Sequence, residues 1–177
     1  MNSFKNRIIR AAMLDVNLFE EVEADKGAMG QAMGIVVLSS IAAGVGLIEK
    51  GGFSGIFTGT IASLFGWYVW AYLTYFIGTK FLSEPQTKAD HGELLRTIGF
   101  SSSPGLIRVL GIIPGLGSVV YSAAAIWMLV AMVIAVRQAL DYNSTLRAVG
   151  VCVIGWFIQI FILMILFSIL GGDRKST

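Results

Sequence analysis

Long apolar runs without charge are the feature that most constrains what this chain can fold into. A helix needs about 20 largely apolar residues to cross the hydrocarbon core of a bilayer. Four segments meet that requirement, and Arg147, at the edge of the last one, is the only charge within them: 28–48, 56–79, 118–136 and 146–170. Only 14% of all residues are charged, against roughly 25% in a soluble domain, so the sequence predicts an all-α membrane protein.

A fifth candidate span, residues 94–113, is less regular. Pro104 removes a backbone hydrogen bond and crowds the carbonyl of Phe100, which predicts a kink. We expect the hydroxyls of the serine run 101–103 to satisfy the freed backbone groups, as happens in kinked membrane helices.

The two ends of this segment carry boundary signals. Asp90 followed by Glu93 three positions later predicts a capping box at the start, and Pro114 predicts a tight turn at the end. A re-entrant hairpin is the alternative interpretation, and it would invert the spans that follow.

The distribution of Lys and Arg decides the orientation, because cytoplasmic loops carry the excess of these residues. With the N-terminus inside, nine lie on the cytoplasmic side and three outside, whereas a re-entrant segment would give seven against five. We therefore predict a five-span helix bundle with the N-terminus in the cytoplasm and the C-terminus outside. Its parts are a lead-in at 1–27, the membrane domain at 28–172 and an outer tail at 173–177.

The lead-in combines a basic and an acidic part. Apolar residues at helical spacing oppose Lys5, Arg7 and Arg10, which predicts an amphipathic helix on the membrane surface whose three cations contact lipid. A second helix is predicted to begin at Asn17 as its cap. Its acidic face either docks a basic partner or is simply solvated: Glu20, Glu21, Glu23 and Asp25.

Arg108 is the one charge predicted well inside a span. Such charges are costly and indicate either a functional pocket or a partner, although a long side chain can also extend to the interface as an anchor. Both interpretations stay open, with Glu49 as the candidate partner. The residues of the candidate polar pocket or kink are Ser101, Ser102, Ser103, Pro104, Arg108 and Pro114.

No set of catalytic or metal-binding residues is predicted. Cys152 and His91 are the only residues of their types, and the G-x-S-G match around Ser54 lies on the opposite membrane face from His91, so the base that an activated serine needs is missing. We expect no enzyme activity, no cofactor, no metal and no nucleic acid partner.

Small residues four apart permit close helix packing in lipid. Gly30 and Gly34, and likewise Gly55 and Gly59, are the candidates for this role. Packing within the chain and packing against another protein both remain open.

Two stretches support a resemblance to a known family. They are the acidic lead-in Leu14–Val22 and the serine–proline segment Phe100–Leu106, which runs on to Ile113-Pro114. With these features the chain resembles the Yip family of Ypt/Rab-interacting proteins, in its compact prokaryotic form. The resemblance implies a multi-pass, non-enzymatic protein of a prokaryotic inner membrane.

Two functional hypotheses follow. The first is a membrane-organising scaffold or accessory subunit of a larger complex, with membrane lipids, further copies of the chain or other membrane proteins as partners. The alternative is a passive permease or lipid-handling protein whose polar path includes Arg108 and the serine run 101–103.

Overall fold

The chain forms an all-helical bundle in the part that the structure describes. The computed structural model describes residues 3–172, without the side chains at 50, 162, 163 and 165–172. The α-helices are α1 Phe4–Ala12, α2 Val16–Ala24, α3 Met29–Gly46, α4 Ile48–Lys80, α5 His91–Phe100, α6 Gly117–Ala139 and α7 Thr145–Gly172. Two 3-10 helices cover Lys26–Ala28 and Ser103–Ile112.

Within the described residues, three helical stretches are long and apolar enough to cross a membrane: Lys26–Gly46, Gly51–Lys80 and Gly117–Ala139. A shorter apolar helix covers Thr145–Phe161. The predicted outer tail, residues 173–177, lies outside the described residues.

The segment predicted as the third span is divided into two helices. It begins with the predicted capping box, in which the Asp90 side chain accepts from the Glu93 amide at 2.8 Å and the Glu93 carboxylate accepts from the Asp90 amide at 2.7 Å. Helix α5 ends at Phe100, and the chain continues as a 3-10 helix. The Ser103 hydroxyl donates to the Phe100 carbonyl at 2.7 Å, which confirms that a serine replaces the hydrogen bond that Pro104 removes.

Helix α3 and this divided segment lie side by side along their whole lengths. A methyl group on Gly99 would lie 2.7 Å from the Cβ atom of Ala32, and one on Gly111 would lie 3.3 Å from the carbonyl oxygen of Gly46. Because Ala32 is near the start of α3 and Gly46 is its last residue, the two segments run in the same direction and cover the same height.

The connection predicted between the first two spans is a single helical turn between the end of α3 and a kink at Gly52. Helix α3 ends at Gly46 and α4 begins at Ile48, so Glu49 lies in the first turn of a helix. The reversal is completed at Gly52, whose φ of +57° is readily adopted only by glycine.

The N-terminal helices form a hairpin against the bundle. Leu18, Phe19 and Val22 of α2 are fully buried in a core that α3, α5 and α6 complete. The Trp127 Nε1 atom donates to the Ala12 carbonyl at 2.8 Å, and Trp127 is the eleventh of the 23 residues of α6. The end of α1 therefore lies beside the middle of α6, so the predicted position flat on the membrane surface is wrong.

Ion pairs within this hairpin explain the difference. Arg7 is only 8% exposed, and its guanidinium contacts Glu21 at 2.9 Å, Asp25 at 2.8 Å and Gln31 at 3.0 Å. Because these ion pairs compensate its charge inside the protein, the prediction that Arg7 contacts lipid is wrong.

Arg10 is paired in the same way, at 2.7 Å with Asp15 and at 2.6 Å with Glu21. Asp15 is also the N-cap of α2, accepting from the Asn17 amide at 3.0 Å, so the predicted cap at Asn17 is wrong by two residues. Lys5 is exposed, and its contact with lipid stays a prediction.

Candidate functional site

Arg108 lies on the 3-10 helix and is held against α3 by neutral groups. Its Nε atom donates to the Gly105 carbonyl at 3.0 Å, and its Nη2 atom donates to the Ser39 carbonyl at 3.0 Å and to the Ser39 hydroxyl at 2.7 Å. A guanidinium has five N–H groups, so the two on Nη1 have no protein partner among the described residues.

The sequence favours this arrangement because small residues allow the two helices to approach. A methyl group on Gly105 would lie 2.7 Å from the Arg108 Nη2 atom and would also overlap the Ser39 hydroxyl. Near the end of the 3-10 helix, the Tyr121 hydroxyl of α6 donates to the Ala43 carbonyl of α3. Among the described residues, Arg108 is thus held by α3 and by its own segment without a carboxylate partner.

Glu49, the candidate partner, forms no ion pair with Arg108 in the described part of the chain. The guanidinium hydrogen bonds lead to Ser39 and Gly105 instead. The Glu49 pairing is therefore corrected: among the described residues Arg108 is held by neutral groups, and Glu49 lies in the single helical turn before the kink at Gly52.

A cavity of about 1100 Å³ extends from Arg108 into the bundle. Its walls come from α3, α4, α5, α6 and α7 and are mostly apolar, with three tryptophan rings. Its polar lining consists of Ser39, Ser40, Ser63, Ser102, Arg108, Thr145 and Gln159. The cavity, which we call the chamber, is therefore an apolar space with one cationic side chain, Arg108, in its described lining.

A second opening of about 330 Å³ also reaches Arg108. We call it the glycine cleft, because α4 contributes Gly51, Gly52, Gly55 and Gly59 to its lining. It shares Ser40, Ser63 and Arg108 with the large cavity.

Of the three serines in the run 101–103, one lines the cavity and two bond to the backbone of their own segment. Ser102 lines the cavity together with Arg108. The hydroxyls of Ser101 and Ser103 are buried and donate to backbone carbonyls of their own segment, at 2.7 Å in both cases. These two serines and the buried Pro104 shape the break, whereas Pro114 lies in the turn after the 3-10 helix.

The glycines predicted for helix packing have a different environment. A methyl group on Gly30, Gly55 or Gly59 would meet nothing within 4 Å, while one on Gly34 would meet the ring of Phe4 at 3.6 Å. The interpretation that Gly30, Gly55 and Gly59 allow close packing of helices within the described chain is therefore wrong.

Several polar residues of the site were not predicted from the sequence: Ser39, Ser40, Ser63, Thr145 and Gln159. The available signal was the Ser39-Ser40 pair in the middle of an otherwise apolar span. Serine in a membrane helix usually bonds its own backbone, as Ser40 does here to the Val37 carbonyl at 2.9 Å, so this signal does not identify a partner for a distant arginine.

His91 lies away from this site, at the start of α5. Its ring centroid is 5.1 Å from that of Tyr68, 5.8 Å from that of Tyr72 and 6.3 Å from that of Tyr75. Among the described residues, no group of three or more His, Cys, Asp or Glu side chains is arranged to hold a metal ion.

Titratable groups outside the membrane helices cluster around α2. The Arg7 hydrogen bond holds the pKa of Asp25 below its usual range, and the Arg10 hydrogen bond does the same for Asp15. Burial raises the pKa of Glu23 to about 7, and the charges of Glu93, Asp141 and Glu20 add to this shift.

Comparison with known families agrees with this architecture. The model of the Yip1 domain matches residues 18–167. The chain belongs to the Yip1 domain family. No curated protein and no solved structure matches it. The matched range of the Yip1 domain begins in α2 and includes Arg108 and every residue named above as lining the cavity or the glycine cleft.

Proposed function

We propose that this Yip1-domain protein is a non-enzymatic, five-span membrane protein that binds an anionic amphiphile in its central cavity. The anionic group, a phosphate or a carboxylate, would contact Arg108, and the alkyl part would fill the apolar space. The observation that carries the proposal is Arg108, which lines the cavity and whose Nη1 atom has no protein partner in the described chain.

The energetics favour such a ligand. A charge inside a membrane protein is costly unless it is paired or hydrated, and a guanidinium binds phosphate or carboxylate through two parallel hydrogen bonds. The neutral contacts to Ser39 and Gly105 orient Arg108 without neutralising it. An anionic headgroup would supply the missing charge.

Five complete crossings are part of this proposal. Ten residues of α5 rise about 15 Å and ten residues of 3-10 helix rise about 20 Å, which together exceed the roughly 30 Å of a hydrocarbon core. The contact of this segment with both ends of α3 supports a full crossing over a re-entrant hairpin. We place the N-terminus in the cytoplasm and the protein in a prokaryotic inner membrane.

The test is binding of a labelled anionic lipid by the purified protein. We expect Arg108→Leu to lower the affinity about tenfold or more, because a charge-assisted pair contributes about 1.5–3 kcal/mol, while Arg108→Lys retains part of it. Ser102→Ala, which changes the cavity wall without removing the charge, should bind nearly as the wild type does. Equal binding by wild type and Arg108→Leu would reject the proposal.

A second candidate function is a scaffold assembled from copies of this chain. The outer half of α4 favours it, because that half has few neighbours and presents Phe53, Phe57 and Phe65 with exposed fractions of 82%, 70% and 71%. Cross-linking through cysteines at Phe57 and Phe65 in native membranes should then trap dimers. A chain that remains monomeric in this assay is not such a scaffold.

A further inference from the structure

The glycine cleft lies where two neighbours of α3 fail to meet. Helix α3 packs against α4 on one side, with a 3.2 Å hydrogen bond between the hydroxyls of Ser40 and Thr60, and against the 3-10 helix on the other. The gap between α4 and the 3-10 helix is the cleft, and Arg108 lines it.

The lining of the cleft has the shape of a groove along α4. Gly55 and Gly59 are four residues apart on the part of α4 that follows the kink at Gly52, so they lie on one helix face about one turn apart. The space beside each is open, since an added methyl group would meet nothing within 4 Å. A groove without side chains on one wall matches an extended alkyl chain, which is narrow and needs no hydrogen bonds.

The cleft also connects with the chamber. Ser40, Ser63 and Arg108 belong to both openings, so the two spaces adjoin at the arginine side chain. The flanking Leu47 and Leu110 are exposed, and the rim offers an apolar surface to surrounding lipid.

We propose that the cleft is a lateral entrance through which the ligand of Arg108 passes from the bilayer into the chamber. The inference rests on the proposed function, and it restricts the ligand to one class. That class is a bilayer-borne amphiphile with at least one alkyl chain, as opposed to a water-borne anion.

Bulky substitutions in the groove test the entrance. The probe is a fluorescent phosphatidic acid in phosphatidylcholine vesicles, with the protein reconstituted in nanodiscs, and both the association rate and the equilibrium occupancy are measured. Gly55→Leu and Gly59→Leu should slow association at least tenfold. Gly30→Leu, whose side chain also enters open space but outside the cleft, is the matched control and should leave the rate unchanged.

A further arm distinguishes a bilayer-borne ligand from a water-borne anion. Inorganic phosphate at millimolar concentration should not displace the lipid. Full displacement of the lipid by phosphate would overturn the inference.

The two proposals fail differently. A wild-type protein that binds the probe no better than Arg108→Leu does would overturn both. Binding that depends on Arg108 but associates at the same rate in Gly55→Leu, Gly59→Leu and Gly30→Leu would overturn the lateral entrance alone.

Discussion

At the scale of single residues, the sequence identifies Arg108 as unusual but does not identify Ser39 as its partner. An arginine inside an apolar segment is visible in the sequence and predicts an unusual environment. Its partner is 69 positions away, and one serine of α3 is chosen over others only by the packing of α3 against the 3-10 helix. The charge could therefore be found from the sequence, but its neighbours could not.

The carboxyl group of Glu23 gives a pH-dependent prediction. Its pKa is about 7 in the folded protein and near 4.5 in the unfolded chain. Between these values the folded state binds more protons, so this group makes the free energy of unfolding decrease as the pH rises from 4.5 to 7. We expect Glu23→Gln to raise the melting temperature in detergent at pH 8 but to leave it nearly unchanged at pH 4.5.

The ion-paired carboxyls act in a different pH range. The pKa values of Asp15 and Asp25 are lowered from 3.8, so their contribution to the free energy of unfolding is present above that pH and is lost as the pH falls through their folded-state values.

A Glu23→Gln variant with the same stabilisation at pH 4.5 and pH 8 would contradict the Glu23 prediction.

The hydroxyl of Ser103 carries a second residue-scale prediction. Its bond to the Phe100 carbonyl is buried, and Ser103→Ala would leave that carbonyl unpaired. We expect a loss of about 1–3 kcal/mol in the free energy of unfolding. Thermal denaturation in detergent measures it, and Ser102→Ala, which removes no hydrogen bond from the described structure, is the control. Equal losses in both variants would contradict this assignment.

At the scale of the elements, sequence periodicity predicted the helices of the N-terminal hairpin but not the surface against which they pack. The pattern of Phe4 and Ile8 opposite Lys5 and Arg7 is the same for a helix on lipid and for a helix on protein. What decides the outcome is the acidic face of α2, which follows closely enough to pair with both arginines. Such pairing depends on how the two helices turn at Leu14, where φ is +62°.

Arg7 is expected to hold the hairpin in place. Glu21 and Asp25 are partly exposed, at 28% and 40%, so the loss on removing Arg7 is that of its charge-assisted hydrogen bonds, about 1.5–3 kcal/mol each. We expect Arg7→Met to release α1 and to speed hydrogen exchange of its amides. Lys5→Met, on the same helix but exposed, should leave exchange unchanged. Slow exchange in Arg7→Met would show that the apolar contacts suffice.

The third segment was predictable in its limits and its break but not in its helix type. Asp90 and Glu93 define the start, and Pro104 defines the interruption, through local geometry that the sequence contains. The 3-10 conformation that follows differs from an α-helix by one position in its hydrogen bonds. Packing against α3 and α6 decides between the two, and packing is not a local property.

At the scale of the whole molecule, apolar runs and charge bias were enough for the helical membrane architecture, because bilayer thickness and backbone hydrogen bonding leave few alternatives. The cavity was not predictable, since it arises where helices fail to pack.

Topology is the prediction at this scale. Single cysteines at Ser3, Gln86 and Asn143, in a background without Cys152, should react with a membrane-impermeant reagent only from the cytoplasmic side. Cysteines at Ser54 and Ser176 should react only from outside. Labelling of Ser54 and Asn143 from the same side would contradict five crossings.

The ten-residue 3-10 helix has a consequence for depth. It rises about 2.0 Å per residue where an α-helix rises about 1.5 Å, so these ten residues extend about 5 Å farther than they would as an α-helix. Because of this extra length, Gly111 reaches the end of α3, although few residues lie between Pro104 and Pro114. The stretched backbone thus substitutes for the additional turn that the sequence lacks, and it sets the distance between the Arg108 charge and the end of the segment.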